Sequence, residues 1–147
     1  MKKYIYISLV LAIFLFASAE KSFACSCLVT PEPLKKQIQN AFAGADVIFS
    51  GEVVEIKDSA SDNYSVIVKF KVAKYWKGGP QTEITITTAK DSAMCGFNFE
   101  TGKTYLVYAF GKSENLSTNN CSRTSVFSKK GDVKYLDKLK RKKTTLK

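Results

Sequence analysis

Four cysteines, Cys25, Cys27, Cys95 and Cys121, carry the reactive side chains with the most informative spacing in this 147-residue chain. Thiols in a Cys-x-Cys arrangement either bind a soft metal as thiolates or are oxidised to disulfides. An even count behind an export-type leader points to disulfides. Of the three pairings open to four cysteines, the one joining Cys25 to Cys27 is disfavoured, because so small a ring departs from disulfide geometry. Each remaining pairing ties both N-terminal cysteines to distant partners. The loops closed span roughly 70 to 95 residues, and each bond contributes about 4 kcal/mol by chain-entropy arithmetic. A metal-binding Cys-x-Cys is the weaker option. An oxidising compartment competes for the thiols, and the chain has no histidine to assist.

The missing histidine excludes more. It rules out a Ser-His-Asp triad, a Cys-His nucleophile pair and a His-ligated zinc within this chain. Asp46, Glu52 and Glu55 lie along one expected strand, but nothing in their spacing singles out a catalytic pair. The chain is not expected to be an enzyme. Trp76, the single tryptophan, reads as core.

The N-terminus has Lys2 and Lys3, an apolar run from Tyr4 to Phe16 and then small residues. This is the layout of a secretory signal peptide, and the run is too short to span a bilayer. Cleavage after Ala17-Ser18-Ala19 would release Glu20; cleavage after Ser22-Phe23-Ala24 would release Cys25. Local rules slightly favour Glu20. The formal charge is +10. Three lysines and one glutamate leave with residues 1–24, which takes it to +8. Lys134 to Lys147 holds seven basic residues against Asp137, so residues 25–133 carry only +2. The charge therefore reads as a solvated basic end, and no nucleic-acid partner is expected. Asn63-Tyr64-Ser65 and Asn115-Leu116-Ser117 match the glycosylation acceptor pattern, which matters only in a host that modifies it.

The elements that must position the cysteines follow from periodicity. Leu34, Ile38 and Phe42 recur every four residues, predicting a helix over 33–43 opened by Pro33 and ended by Gly44. Strands are predicted over 46–56, with a bulge or bend at Gly51, and over 65–75, where Val66, Val68, Phe70 and Val72 alternate with other residues. Further strands are predicted over 83–88 and 104–110, with a short fifth at Leu116–Asn119. Asp132 caps a final helix to Leu139, with Val133, Leu136 and Leu139 on one face. Without strand-helix alternation a parallel doubly wound sheet is not expected. A mainly β, five-stranded OB-type antiparallel barrel with flanking short helices fits the count.

Several segments carry a family resemblance. Cys25-Ser26-Cys27 forms a Cys-x-Cys opening. Ala41 to Val47 enters the first strand, and Lys77-Gly78 follows the second. Ser92-Ala93-Met94-Cys95-Gly96 forms a cysteine-bearing loop, Gly102 to Leu106 starts a strand, and Cys121-Ser122 comes last. In this order and spacing they resemble the N-terminal inhibitory domain of the tissue inhibitors of metalloproteinases, within the wider netrin-like group of OB-type domains. Three departures stand out. Ala43 occupies the place of a third early cysteine, Val29 that of a proline, and a basic tail that of the C-terminal domain of animal inhibitors. The compact layout is similar to the shorter netrin-like proteins of bacteria.

The resemblance implies a domain over residues 25–139 followed by a basic tail over 140–147. It implies the pairings Cys25–Cys95 and Cys27–Cys121, and cleavage before Cys25 rather than Glu20. It further implies a secreted inhibitor (periplasmic or at the cell surface in a bacterium), with no cofactor of its own and no stable membrane anchor, acting as a monomer on a zinc metalloproteinase. The freed amine and the carbonyl of Cys25 would chelate the target's zinc. Ser26 would enter the adjoining pocket, and Cys27, Leu28, Ser92, Ala93 and Met94 would complete the contact edge. The alternative is a netrin-like binding module that uses its barrel face or basic tail without inhibiting a proteinase.

Overall fold

A computed structural model describes residues 25–28, 31–112 and 114–145, with side chains as far as Arg141. The expected leader, both cleavage sites and Val29 lie outside the described residues.

Helix α1 (Leu34–Gly44) begins directly after Pro33 and buries Ile38. Its C-terminal end is held by Lys77, whose Nζ donates to the carbonyls of Phe42 (2.9 Å), Ala43 (3.0 Å) and Ala45. A cation there meets the negative end of the helix and satisfies carbonyls that lack helical partners.

Five strands follow: β1 (Val47–Asp58), β2 (Ser65–Lys77), β3 (Glu83–Ala89), β4 (Thr104–Ala109) and β5 (Ser125–Val126). Every neighbouring pair is antiparallel, in the order β3-β2-β1-β4-β5. The alternation in β2 and β3 turns Val68, Phe70, Ile84 and Ile86 inward, with Val68 opposite Ile86. At Gly51 the β1–β2 register shifts, and a Cβ there would lie 2.9 Å from the Lys71 carbonyl oxygen. The expected bulge is therefore present, and glycine is what lets the strands close up at the bend.

The fifth strand is not where the pattern placed it. Ser125–Val126 pairs with β4, whereas Leu116–Asn119 forms no strand. Within that segment Ser117 makes single bridges to Thr87 and to Phe110. Thr87 N–H donates to the Leu116 carbonyl (2.8 Å), and Phe110 N–H to that of Ser117 (2.9 Å). The segment spans the gap between β3 and β4 and closes the barrel. It spends its few backbone groups on two partners, so it cannot extend along either.

Two apolar clusters lie on opposite faces of the sheet. Phe49, Phe70, Ile86, Tyr105 and Val107 fill the barrel, with Phe97 and Phe99 packed against them. Ile48, Leu106 and Tyr108 face outward and meet Ile38, Trp76, Val133 and Leu136 under the two helices. β4 is buried on both faces, which explains its unbroken apolar run. Helix α2 (Asp132–Thr145) does not stop at Leu139 as the apolar spacing suggested but continues through the basic residues. Lys140 Nζ reaches the Tyr75 carbonyl (2.8 Å), while Asp137 accepts from the Trp76 ring N–H (2.6 Å) and from Lys74 Nζ (2.6 Å). The Asp137 contacts hold the helix on β2, and that of Lys140 does so beyond its last apolar residue.

Candidate functional site

Residues Cys25 to Leu28 have no regular secondary structure. Cys25 is bonded to Cys95 and Cys27 to Cys121, with Cα separations of 5.3 and 5.2 Å. Ser26 and Cys27 are exposed, and Leu28 is 98% exposed. An apolar side chain that open is not there for the core of this chain.

The Cys95 loop is built locally. Asp91 accepts from Ala93 N–H through its side chain (2.7 Å) and from Met94 N–H through its carbonyl (3.0 Å), folding Ser92–Met94 into one 3₁₀ turn. Cys95 then adopts a left-handed backbone, φ 63°. At Gly96 a Cβ would overlap the Ala89 carbonyl, so only glycine lets the chain leave the turn here. Phe97 and Phe99 follow and pack against Tyr105 and Phe70, with ring centroids 5.8 and 5.2 Å apart respectively. The loop is thus plugged into the barrel immediately behind its cysteine.

The Cys121 turn is built from asparagines. Asn119 Oδ1 accepts from the N–H groups of Cys121 (3.0 Å) and Ser122 (2.9 Å), a side-chain turn of the kind asparagine favours. Asn120 N–H donates to the Cys95 carbonyl (2.9 Å), joining the two cysteine loops. Behind the turn, Arg123 donates to both carboxylate oxygens of Asp132 (2.6 and 2.7 Å) and to Gln37 Oε1 (3.0 Å). Tyr108 also donates to Asp132 (3.0 Å). Burial, and then the Asp132 charge, push the Tyr108 hydroxyl far above the ordinary tyrosine range. The hydrogen bonds to Asp132 hold the Arg123 guanidinium above its usual range. One arginine therefore ties the Cys121 turn to both helices.

The structure brings Cys25, Ser26, Cys27 and Leu28 to one edge, with the exposed Ser92, Ala93 and Met94 on the loop bonded to Cys25. The sulfurs of Cys25, Cys27 and Cys121 lie within 4.8 Å of one another. All are consumed in disulfides, so they offer no thiolate to a metal. Asp46, Glu52 and Glu55 are not brought together as a site. Asp46 accepts from Gly111 N–H (2.7 Å), and Glu55 pairs with Lys57 (2.8 Å). Sequence reasoning missed Asn119, Asn120 and Arg123, and it read Asp132 only as a helix cap. The Asn-Asn-Cys-Ser run was a readable turn signal, whereas the Arg123–Asp132 pair left none.

Residues 23–136 match the family model described as tissue inhibitor of metalloproteinase. The chain is 36% identical to Metalloproteinase inhibitor 2 of Gallus gallus over 113 residues, covering 71% of this chain and 48% of that protein. It is also 36% identical to Metalloproteinase inhibitor 2 of Canis lupus familiaris over 100 residues, 62% of this chain and 42% of that protein. The chain thus spans about half the length of the curated relatives it matches. The family match takes in all four cysteines, both of their loops and the start of α2, and on that footing the chain belongs to the tissue inhibitor of metalloproteinase family.

Proposed function

We propose that this protein inhibits zinc metalloproteinases by laying the Cys25–Leu28 edge into their active site. The observation that carries the reading is the doubly bonded N-terminal segment. Two disulfides two residues apart hold an exposed strip of chain in one shape. A strip already ordered has little further freedom to lose on binding.

The chemistry follows from cleavage before Cys25. The freed α-amine and the Cys25 carbonyl oxygen are spaced for a five-membered chelate. A catalytic zinc keeps one position open for water, and the amine and carbonyl together would displace that water. The zinc and its histidines belong to the target, so a chain without histidine suffices. Ser26 would point into the pocket beside the metal, with Leu28 and Ser92–Met94 flanking it. The amine must be neutral to coordinate, and its reference pKa is about 8. Inhibition therefore weakens as pH falls below that value. The protein would act as a secreted monomer, with residues 1–24 removed.

N-terminal sequencing of the exported protein, with inhibition assays on a panel of zinc endopeptidases, tests this. Cys25 as first residue and inhibition lost on adding one alanine before it are the expected results. Glu20 as first residue, or inhibition unchanged by the added alanine, would overturn chelation.

A further inference from the structure

We infer that the outer face of α2, with Lys35 of α1, is a docking surface for anionic lipid headgroups. Lys134, Lys138 and Arg141 are exposed and recur at helical spacing, so they form one basic stripe. Lys138 and Lys35 stand on either side of a groove between the two helices. The floor of that groove is apolar, made by Ile38, Tyr135 and Leu139. Lys74, Lys140 and Arg141 border a second hollow on the other side of α2, where Asp137 is paired with Lys74.

An apolar floor rimmed by lysines fits a phosphate headgroup with the start of its acyl chain. Lysine stems can lie on the floor while their ammonium groups reach the phosphate. A single-stranded nucleic acid would need a base-stacking platform, and the groove offers one half-buried tyrosine. Val133 and Leu136 pin the apolar side of α2 to the barrel. The helix therefore cannot insert, and the contact would be peripheral, charge-driven and salt-sensitive.

The placement leaves the proposed inhibitory edge free. Asp132, the first residue of α2, borders the same groove as Leu28. The helix then runs 14 residues, about 20 Å, away from it. Surface attachment and the proposed inhibition use different residues, so each can fail without the other.

The test is co-sedimentation of the exported protein with phosphatidylcholine vesicles containing about one third phosphatidylglycerol, against pure phosphatidylcholine vesicles. Binding to the anionic vesicles alone, lost at high salt, is expected. The triple variant Lys134→Gln, Lys138→Gln and Arg141→Gln should bind roughly 100-fold more weakly. A control triple of equal charge, Lys57→Gln, Lys103→Gln and Lys112→Gln, touches neither helix and should bind within about twofold of the parent. Thermal melting checks that both triples fold. Should the first not fold, Lys138→Gln alone is compared with Lys57→Gln alone. Equal binding to neutral vesicles, no binding, or equal weakening by both triples would overturn the inference. So would retention on a sulfated polysaccharide resin without vesicle binding.

Discussion

The Cys25 Sγ lies 3.9 Å from the Cys121 Sγ, although each is bonded to a different partner. The two disulfides therefore touch and act as one clamp rather than as two separate staples. Asn120 backs this clamp, with its Oδ1 3.4 Å from the Cys25 sulfur and 3.6 Å from that of Cys121. The Cys25–Leu28 strip takes its shape from this contact, because it makes no strand or helix of its own.

Replacing Cys27 and Cys121 together by serine should cost about 2 to 5 kcal/mol in urea unfolding, given the long loop they close. Hydrogen exchange over residues 26–28 should rise at the same time. Unaltered exchange in a destabilised variant would separate stapling from presentation.

Arg123→Met should cost about 2 to 4 kcal/mol, because it leaves the Asp132 carboxylate without its bidentate partner in a partly buried place. Adding Asp132→Asn should recover part of the loss, since the stranded charge is then gone. A double variant weaker than the sum of the singles would contradict this account.

Partial burial acts to raise the Asp137 carboxyl, but Lys74 and the Trp76 ring N–H outweigh it and hold the carboxyl below its ordinary value of 3.8. A depressed folded pKa contributes stability above the unfolded value, and that contribution is lost as pH falls through the folded one. Asp137→Asn should therefore be slightly less stable than the parent at neutral pH, by under about 1 kcal/mol at so open a site. The difference should narrow in acid, as pH falls through that lowered value. Melting curves at neutral and acid pH check this, and a gap that widens in acid would count against it.

Gly96→Ala should be strongly destabilising, by more than about 3 kcal/mol, because a Cβ there collides with backbone rather than with a movable side chain. Free thiols from an unmade Cys25–Cys95 bond are the expected companion, read by alkylation and mass spectrometry.

Leu28→Ala should leave stability within about 0.5 kcal/mol, since the side chain is 98% exposed. Proteinase inhibition should nevertheless fall. Equal inhibition by the variant would remove Leu28 from the proposed contact edge.

Much of the barrel was legible in the sequence. The alternation of Val66 to Val72, the isoleucines of β3 and the glycine at 51 each have a local cause, so local pattern was enough to find them. β5 was not legible, because two residues carry no period. Neither was the far end of α2, where Lys140 reaches across to β2.

The cysteines mark the same division most sharply. Spacing alone argued against joining Cys25 to Cys27 and implied that the N-terminal strip is bonded at two points. It did not choose between the two remaining pairings, and the family resemblance was needed to imply one. The physical reason lies in the clamp. Cys25–Cys95 and Cys27–Cys121 close separations of 70 and 94 residues, the alternative would close 96 and 68, and three of the sulfurs end within 4.8 Å of one another, so neither loop entropy nor reach decides. Only the fixed directions of the Asp91–Gly96 turn and the Asn119–Ser122 turn set Cys95 against Cys25 and Cys121 against Cys27.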